Sequence, residues 1–393
     1  MLKKVTIYNF FTIIAIALFG WYTYHSIQSL GFETTAGFSY DAITKLVIIA
    51  MAVLSMILSK NRVYTNFSIL WIFWSVWLFI LFFMFGLRGV GISNILHVTF
   101  CPMTFILFYT MTLYSDKITQ ITFIGFIFIY LLSLYLILLN LSTVIGVQLG
   151  EGTAITNLIY WCLCPLPILL LSKKRWVIPI AIGITFVIVI LTGKRSATIA
   201  IAFIVLAYII NEMKGRFSAK KILGVILLFV AFVFLINTYF ENTFLGVMER
   251  MSNMKDDQGS GRIPLYLDVF NVMKDNTFID WLLGRGYGSI TITRHTNAHN
   301  DALQMLFEYG IVGLIVYGLM ILYIIKRLIV LYKQNSIYYM GYASSVIITV
   351  MLGLVSNLIV FYSYFAFICA FWGIVEAKMA QSKFVNLIYV KII

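Results

Sequence analysis

The sequence predicts an all-α, polytopic membrane protein with about 12 transmembrane helices and one large extracytoplasmic loop. Its 393 residues are 62% hydrophobic and only 11% charged, with a mean hydropathy of +0.97. No soluble domain of this length could bury that much apolar surface, so the composition excludes a soluble protein. Stretches of roughly 17–23 mostly apolar residues recur along the chain, each long enough to cross a bilayer.

The predicted spans follow one another with short polar connections, except at one place near the C-terminal third of the chain. They lie at 6–28, 42–59, 67–87, 95–114, 119–140, 155–172, 176–192, 196–211, 221–239, 303–325, 337–356 and 358–376. The first span lacks a small-x-small cleavage site near its end, which favours a retained helix. We therefore divide the chain into membrane helices at 1–239, the large loop at 240–302, and further membrane helices with a tail at 303–393.

The formal charge of +13 does not indicate a nucleic-acid partner. Nucleic-acid binding requires a basic face on a folded domain, whereas most of the 28 Lys and Arg residues lie in short clusters between apolar segments. By the positive-inside rule, such clusters at 173–175 and 214–221 belong to the cytoplasm. The same rule predicts both termini in the cytoplasm and the large loop on the outer face.

The four cysteines lie within apolar segments, and their spacing does not match a metal-ligand quartet. We expect Cys101, Cys162, Cys164 and Cys369 to be small buried hydrophobes. The sequence also lacks the patterns of a Ser-His-Asp triad, a zinc site or a cofactor fingerprint. It therefore predicts neither a metal nor a cofactor.

The large loop carries three short motifs, GSGR at 259–262, GRGYG at 284–288 and AHND at 298–301. Loops longer than about 15 residues are usually functional or disordered, and the aromatic residues of this one favour folding. Residues 262–275 predict a short helix, with Pro264 in its first turn and a face of Ile263, Tyr266, Leu267, Phe270 and Met273. Such a helix either lies flat on the membrane or caps the bundle.

Two adjacent cations lie in the turn between the predicted spans seven and eight. Lys194 and Arg195 stand in LTGKRSATIA, where an Arg is costly unless it faces a cavity or a partner. A guanidinium matches phosphate oxygens through a bidentate fork, but both side chains could equally snorkel to lipid head groups. Arg88 has the same two interpretations. Arg262 follows small residues at the start of the loop helix, where a backbone can approach an anion closely.

His299 precedes a membrane helix and is a candidate base near neutral pH. Asn300 can cap that helix, and Asn300 and Glu308 share one of its faces. An acid within a membrane helix indicates either function or a polar link to a neighbouring helix. Arg285 stands in the glycine-rich GRGYG turn, which no strand precedes and no Walker lysine follows, so the turn is not a nucleotide loop.

This arrangement resembles the O-antigen ligase/polymerase superfamily. The resemblance rests on about a dozen helices, a TGKR turn, and a large loop with SGR, GxG and AHN motifs before a glycine-rich helix. Its HN…E-x-G signature is matched by Ala298, His299, Asn300, Asp301, Glu308, Tyr309, Gly310 and Gly313. The informative motifs span 192–196 and 259–313.

The resemblance implies a GT-C-like fold with a lateral opening for lipid, in a bacterial cytoplasmic membrane. It implies that Arg195 and Arg262 hold the diphosphate of an undecaprenyl-diphosphate-linked glycan, and that His299 activates or positions the acceptor hydroxyl. Substrate binding would further involve Lys194, Arg88, Arg285, Asn300 and Glu308. Membrane lipid, a chain-length regulator and a flippase are the other partners it implies.

Four functions remain open at this point. The first is a polymerase that joins lipid-linked repeat units into capsular, O-antigen or other surface polysaccharide, and the second is a ligase that moves a finished glycan to another acceptor. A transporter or flippase of the same glycolipid would predict paired broken helices or intramembrane charges in both halves of the chain. A non-catalytic scaffold would require neither Arg195 nor His299.

Overall fold

The protein is described by a computed structural model over twelve stretches of the chain. These are residues 2–28, 40–59, 66–85, 92–115, 117–140, 156–172, 174, 176–192, 194–213, 262–294, 297–359 and 362–392. Within them the structure is helical and contains no strand. The predicted ninth span at 221–239, Arg88 and residues 259–261 lie outside the described stretches.

Ten of the helices in these stretches run along or near the predicted spans. They are α1 (Leu2–Gln28), α2 (Tyr40–Leu58), α3 (Asn66–Phe85), α4 (Ile92–Tyr114), α5 (Lys117–Leu139), α8 (Val177–Thr192), α9 (Arg195–Met213), α13 (Asp301–Lys333), α14 (Tyr339–Val355) and α15 (Tyr362–Ile392). Among the described residues, six helices are long and apolar enough to cross a membrane, and further apolar helices are shorter. The all-α, multi-pass membrane architecture is confirmed, whereas the number of 12 spans stays a prediction.

The predicted sixth span differs from a continuous helix. It consists of a 3₁₀ turn at Thr156–Ile159 and two single-turn helices, α6 (Tyr160–Leu163) and α7 (Leu166–Leu169). Pro165 and Pro167 lack the backbone N–H that a continuing helix needs, which explains the interruption. The segment is buried in the bundle, where other parts of the protein can satisfy its free backbone groups.

Helix α15 is the central element of the bundle. It packs along α4, α4 packs along α2, and α1 packs along α5. On the other side, α9 packs against α14, and α13 contacts both α14 and α3. All four cysteines are buried in this bundle, as the sequence predicts.

Lys45 and Arg327 inside the bundle are each paired with a carboxylate. The Lys45 ammonium lies 2.7 Å from the Asp41 carboxylate and 2.6 Å from Nδ1 of His97. Near the C-terminal end of α13, the Arg327 guanidinium donates to both oxygens of the buried Glu376 carboxylate at 2.6 Å. Helix α13 thus continues past its predicted end at 325, and Arg327 joins α13 to α15 instead of facing water.

The described part of the predicted loop contains three further helices. They are α10 (Arg262–Met273), α11 (Phe278–Leu283) and α12 (Ser289–Arg294). The predicted loop helix is therefore confirmed and ends two residues early, but its apolar side chains do not form a single face. Val269 and Met273 point into a small separate core with Ile290 and Phe307, whereas Leu267 is exposed.

Candidate active site

Tyr160 is the first residue of α6, and its hydroxyl connects the ends of two other helices. The Tyr160 and Ser196 hydroxyls are hydrogen-bonded at 2.7 Å, and the Tyr160 hydroxyl donates to the Ser356 hydroxyl at 2.8 Å. Ser196 lies in the first turn of α9, and Ser356 directly follows α14. A buried polar centre therefore forms where a broken span meets the ends of two other helices.

Lys194 reaches this centre from the N-terminus of α9, where Arg195 is the next residue. The Lys194 ammonium lies 5.7 Å from the centroid of the Tyr160 ring, within the range of a cation–π interaction. Arg195 is half-buried and is the chain neighbour of Ser196, whose hydroxyl belongs to the centre. Two cations and a helix N-terminus thus lie beside buried hydroxyl groups, an arrangement suited to binding an anion.

His299 is held in a left-handed backbone conformation immediately before α13, with a φ of 50°. The Tyr266 hydroxyl donates to the carbonyl oxygen of His299 at 3.2 Å. Asn300 caps α13, because its side-chain oxygen accepts a hydrogen bond from the Leu303 amide at 2.9 Å. Its side-chain nitrogen donates to the Leu354 carbonyl oxygen at 3.1 Å. These bonds fix the backbone at the carbonyl side of the histidine.

The electrostatic surroundings of His299 favour its neutral form. Burial lowers the pKa of the imidazole, and the positive charges of Arg262 and Lys194 lower this pKa further. A neutral imidazole can accept a proton, as a general base must. The positive charge of Arg262 also interacts electrostatically with the Tyr160 hydroxyl group. Arg262, Lys194 and His299 therefore converge on the same end of the bundle.

A network of buried polar side chains connects this region to the turn between α14 and α15. The Gln304 side-chain oxygen accepts hydrogen bonds from the Ala298 amide at 3.0 Å and from the Asn357 side chain at 3.3 Å. Asp301, in the first turn of α13, accepts from the Leu358 amide at 2.9 Å. Asn357 has a φ of 48°. The network fixes the loop before α13 against the chain that follows α14.

The GRGYG turn fits into a break in α13. Gly310 has a φ of 66°, which interrupts the helix and removes the usual hydrogen-bond partners of the preceding carbonyl groups. The Arg285 amide donates to the Phe307 carbonyl oxygen at 3.1 Å. The Gly286 amide donates to the Glu308 carbonyl oxygen at 2.9 Å. The turn thereby satisfies backbone groups that the break exposes.

The side chains of Arg285 and Glu308 also contact other parts of the protein. The Arg285 guanidinium donates to the Val272 carbonyl oxygen at 3.2 Å, near the end of α10. The buried Glu308 carboxylate accepts from the side chain of Gln304, four residues earlier in α13, at 2.8 Å. The Arg285 contact joins the GRGYG turn to α10, and the Glu308 contact lies within α13. The predicted role of both residues in substrate binding stays a prediction.

Several residues of the site escape the sequence analysis. Tyr160 stands in an apolar run, where nothing distinguishes it from a core aromatic residue. Ser356 is the last residue of one predicted span, and Asn357 separates that span from the next; this polar pair is the one signal the sequence offers for them. Tyr266 is predicted only as part of an apolar face, yet its hydroxyl supports His299.

Residues 180–318 match the family model described as O-antigen ligase. No curated protein matches the chain. The family match confirms, for this part of the chain, the resemblance predicted from the motifs, and it covers Lys194, Arg195, Arg262 and His299. The family consists of membrane glycosyltransferase-like enzymes, and the match does not separate polymerases from ligases.

Proposed function

We propose that this chain, whose residues 180–318 match an O-antigen ligase family, polymerises undecaprenyl-diphosphate-linked repeat units into a surface polysaccharide. The reaction would take place on the outer face of a bacterial cytoplasmic membrane. The observation that carries the proposal is the convergence of the Arg262 and Lys194 charges on the half-buried His299. An anion-binding group and a proton acceptor are the two elements that glycosyl transfer from a lipid diphosphate requires.

The proposed chemistry assigns one step to each kind of residue. The acceptor hydroxyl oxygen attacks the anomeric carbon of the donor, and the bond from that carbon to the diphosphate oxygen breaks. His299 takes the proton of the acceptor hydroxyl, and undecaprenyl diphosphate leaves with the bonding electron pair. Arg262, Lys194 and Arg195 stabilise the negative charge of the leaving group, which cations can do without a metal. Activity should therefore persist in the presence of EDTA.

The remaining predicted residues fall into two groups. Asn300, Arg285 and Glu308 make their described side-chain contacts within the protein, so we assign them to positioning His299 and the GRGYG turn. Arg88 lies outside the described residues, and its predicted role in substrate binding is retained as part of the proposal. A chain-length regulator and a flippase are the proposed protein partners.

A ligase is the second candidate, because the matching family is described as O-antigen ligase. A ligase would use the same donor, the same cations and the same histidine, but it would transfer a finished glycan to a different acceptor. The identity of the acceptor, rather than the chemistry of the site, distinguishes the two enzymes.

The lipid-linked glycans of cells lacking the protein test both candidates. We expect single repeat units to accumulate on the lipid carrier, which is the result for a polymerase. Full-length polymer stranded on the carrier would support the ligase instead. An unchanged glycan profile would contradict both.

A complementation experiment tests the site itself. His299→Ala should abolish product while the protein remains folded and inserted in the membrane. His25→Ala is the matched control, since His25 stacks on Tyr40 at the end of α1 and has no part in the proposed chemistry. Full activity of His299→Ala would contradict the proposed role of the histidine as a base.

A further inference from the structure

The short helix α11 exposes large apolar side chains although it belongs to the predicted extracytoplasmic loop. Phe278 is 80% exposed, and Ile279 and Leu282 are exposed beside it. The turn that leads into α11 is polar instead, with Lys274, Asp275 and Thr277 at its surface. One end of this segment is therefore suited to water, and the other presents a bare apolar surface.

This apolar surface adjoins the lipid-facing side of a membrane span. The Leu282 carbonyl oxygen lies so close to Gly310 of α13 that a Cβ added to Gly310 would clash with it. The exposed apolar stripe of α13 begins at the next residue. It consists of Ile311, Ile315, Leu319 and Leu322, which recur at helical spacing. The exposed apolar side chains of α11 therefore lie beside the start of this stripe and extend the apolar surface laterally.

The length of α13 shows how deep this contact lies. Lys326 is exposed, so the hydrocarbon region ends close to it. A hydrocarbon core of about 30 Å corresponds to ~20 helical residues, which reach back from Lys326 to about Leu306. Gly310 then lies roughly 6 Å inside the opposite boundary of the hydrocarbon. Leu282, which touches Gly310, lies at the same level.

We propose that α11 is a partly inserted helix whose Phe278, Ile279 and Leu282 side chains lie among the lipid chains of the leaflet nearest Asp301. Its backbone tolerates this depth because the following turn is hydrogen-bonded to α13 and Gly284 is buried against it. The polar turn before α11 stays in water. The occupant of the apolar surface is lipid, since the surface is continuous with a stripe that faces lipid.

The insertion anchors one end of the candidate site to the membrane. Helix α11 is followed directly by the GRGYG turn, which fills the break in α13. Arg285 in that turn is hydrogen-bonded to the end of α10, the helix that begins at Arg262. The depth of α11 in the leaflet therefore determines the depth of the GRGYG turn and of α10. This inference does not depend on which reaction the site performs.

Site-directed spin labelling of the full-length protein in phospholipid nanodiscs tests the insertion. The four native cysteines are buried, so a spin label should select an introduced thiol. Phe278→Cys and Ile279→Cys report on α11, Leu322→Cys provides the lipid-facing reference, and Lys274→Cys provides the reference in water. The collision rates of each label with oxygen, which partitions into lipid, and with a water-soluble nickel chelate are measured.

We expect the labels at 278 and 279 to collide more with oxygen than with nickel, as the label at 322 does. A preference for nickel, as at 274, would place α11 in water and overturn the proposal. Protection from both reagents would mean that a protein surface, such as a second copy of the chain, covers α11, and this would also overturn it. If Phe278→Cys does not assemble, Ile279→Cys decides between these outcomes.

Discussion

The Asn300 side chain provides a sharp test of how the site holds His299. A left-handed conformation costs a non-glycine residue on the order of 1–3 kcal/mol, so the φ of 50° at His299 requires support from its surroundings. Asn300 supplies two hydrogen bonds, one from the Leu303 amide and one to the Leu354 carbonyl group. Asn300→Ser keeps a cap acceptor but cannot reach Leu354, whereas Asn300→Ala loses both bonds.

The expected magnitudes follow from these two bonds. Losing one hydrogen bond costs about 1 kcal/mol, and losing the helix cap costs about 1 kcal/mol more. The equilibrium constant between the positioned and the displaced state of His299 should therefore fall about 5-fold in Asn300→Ser and about 30-fold in Asn300→Ala. Tyr266→Phe removes the third support, the bond to the His299 carbonyl oxygen, and should resemble Asn300→Ser.

Steady-state kinetics with a lipid-linked repeat unit in nanodiscs measures these effects. If Asn300 positions His299, kcat should fall in the graded order Ser then Ala, while KM for the donor stays the same. A raised KM with an unchanged kcat would show that Asn300 binds substrate directly, as the family resemblance implies. An equal fall of kcat in Asn300→Ser and Asn300→Ala would refute the idea that the two hydrogen bonds contribute independently.

Three further predictions concern the cations and the break in α13. Arg262→Gln should raise the pKa of His299, because a positive charge that lowers this pKa is removed. The acid limb of the pH–rate profile should then move to higher pH, and an unchanged limb would contradict the prediction. Arg195→Lys should lower activity about tenfold or more, because a point charge lacks the guanidinium fork; wild-type activity would mean that charge alone suffices. Gly310→Ala should lower the melting temperature, because the new Cβ meets the backbone of α11, whereas Gly318→Ala, which has open space, should not.

Hydropathy predicts most of the membrane helices because the bilayer imposes one length and one composition on each of them. It could not predict the interruption of the sixth span, since its residues are as apolar as those of a continuous helix. The pair Pro165 and Pro167 carries that information instead, through the missing backbone donors. Likewise, Gly310 breaks α13 within an apolar run, and only the contact with the GRGYG turn shows why.

The motifs predict the charged part of the site but not its supports. Lys194, Arg262 and His299 are charged or titratable residues in a chain that is 62% hydrophobic, so each of them stands out in the sequence, and the structure brings them together. Tyr160 and Ser356 are common residue types in membrane helices. Their role arises from a contact between residues 196 positions apart, which no local pattern can reveal.

The positions of these supports explain why the family match alone does not define the site. The matching residues 180–318 contain the cations and the histidine, whereas Tyr160 precedes this region and Ser356 follows it. Since the hydroxyl of Tyr160 bonds to both Ser196 and Ser356, it fixes the N-terminus of α9 against the end of α14. The chemical groups therefore come from the matching region, and their geometry depends on helices outside it. Substitutions at Tyr160 should then affect the site as strongly as substitutions within the motifs.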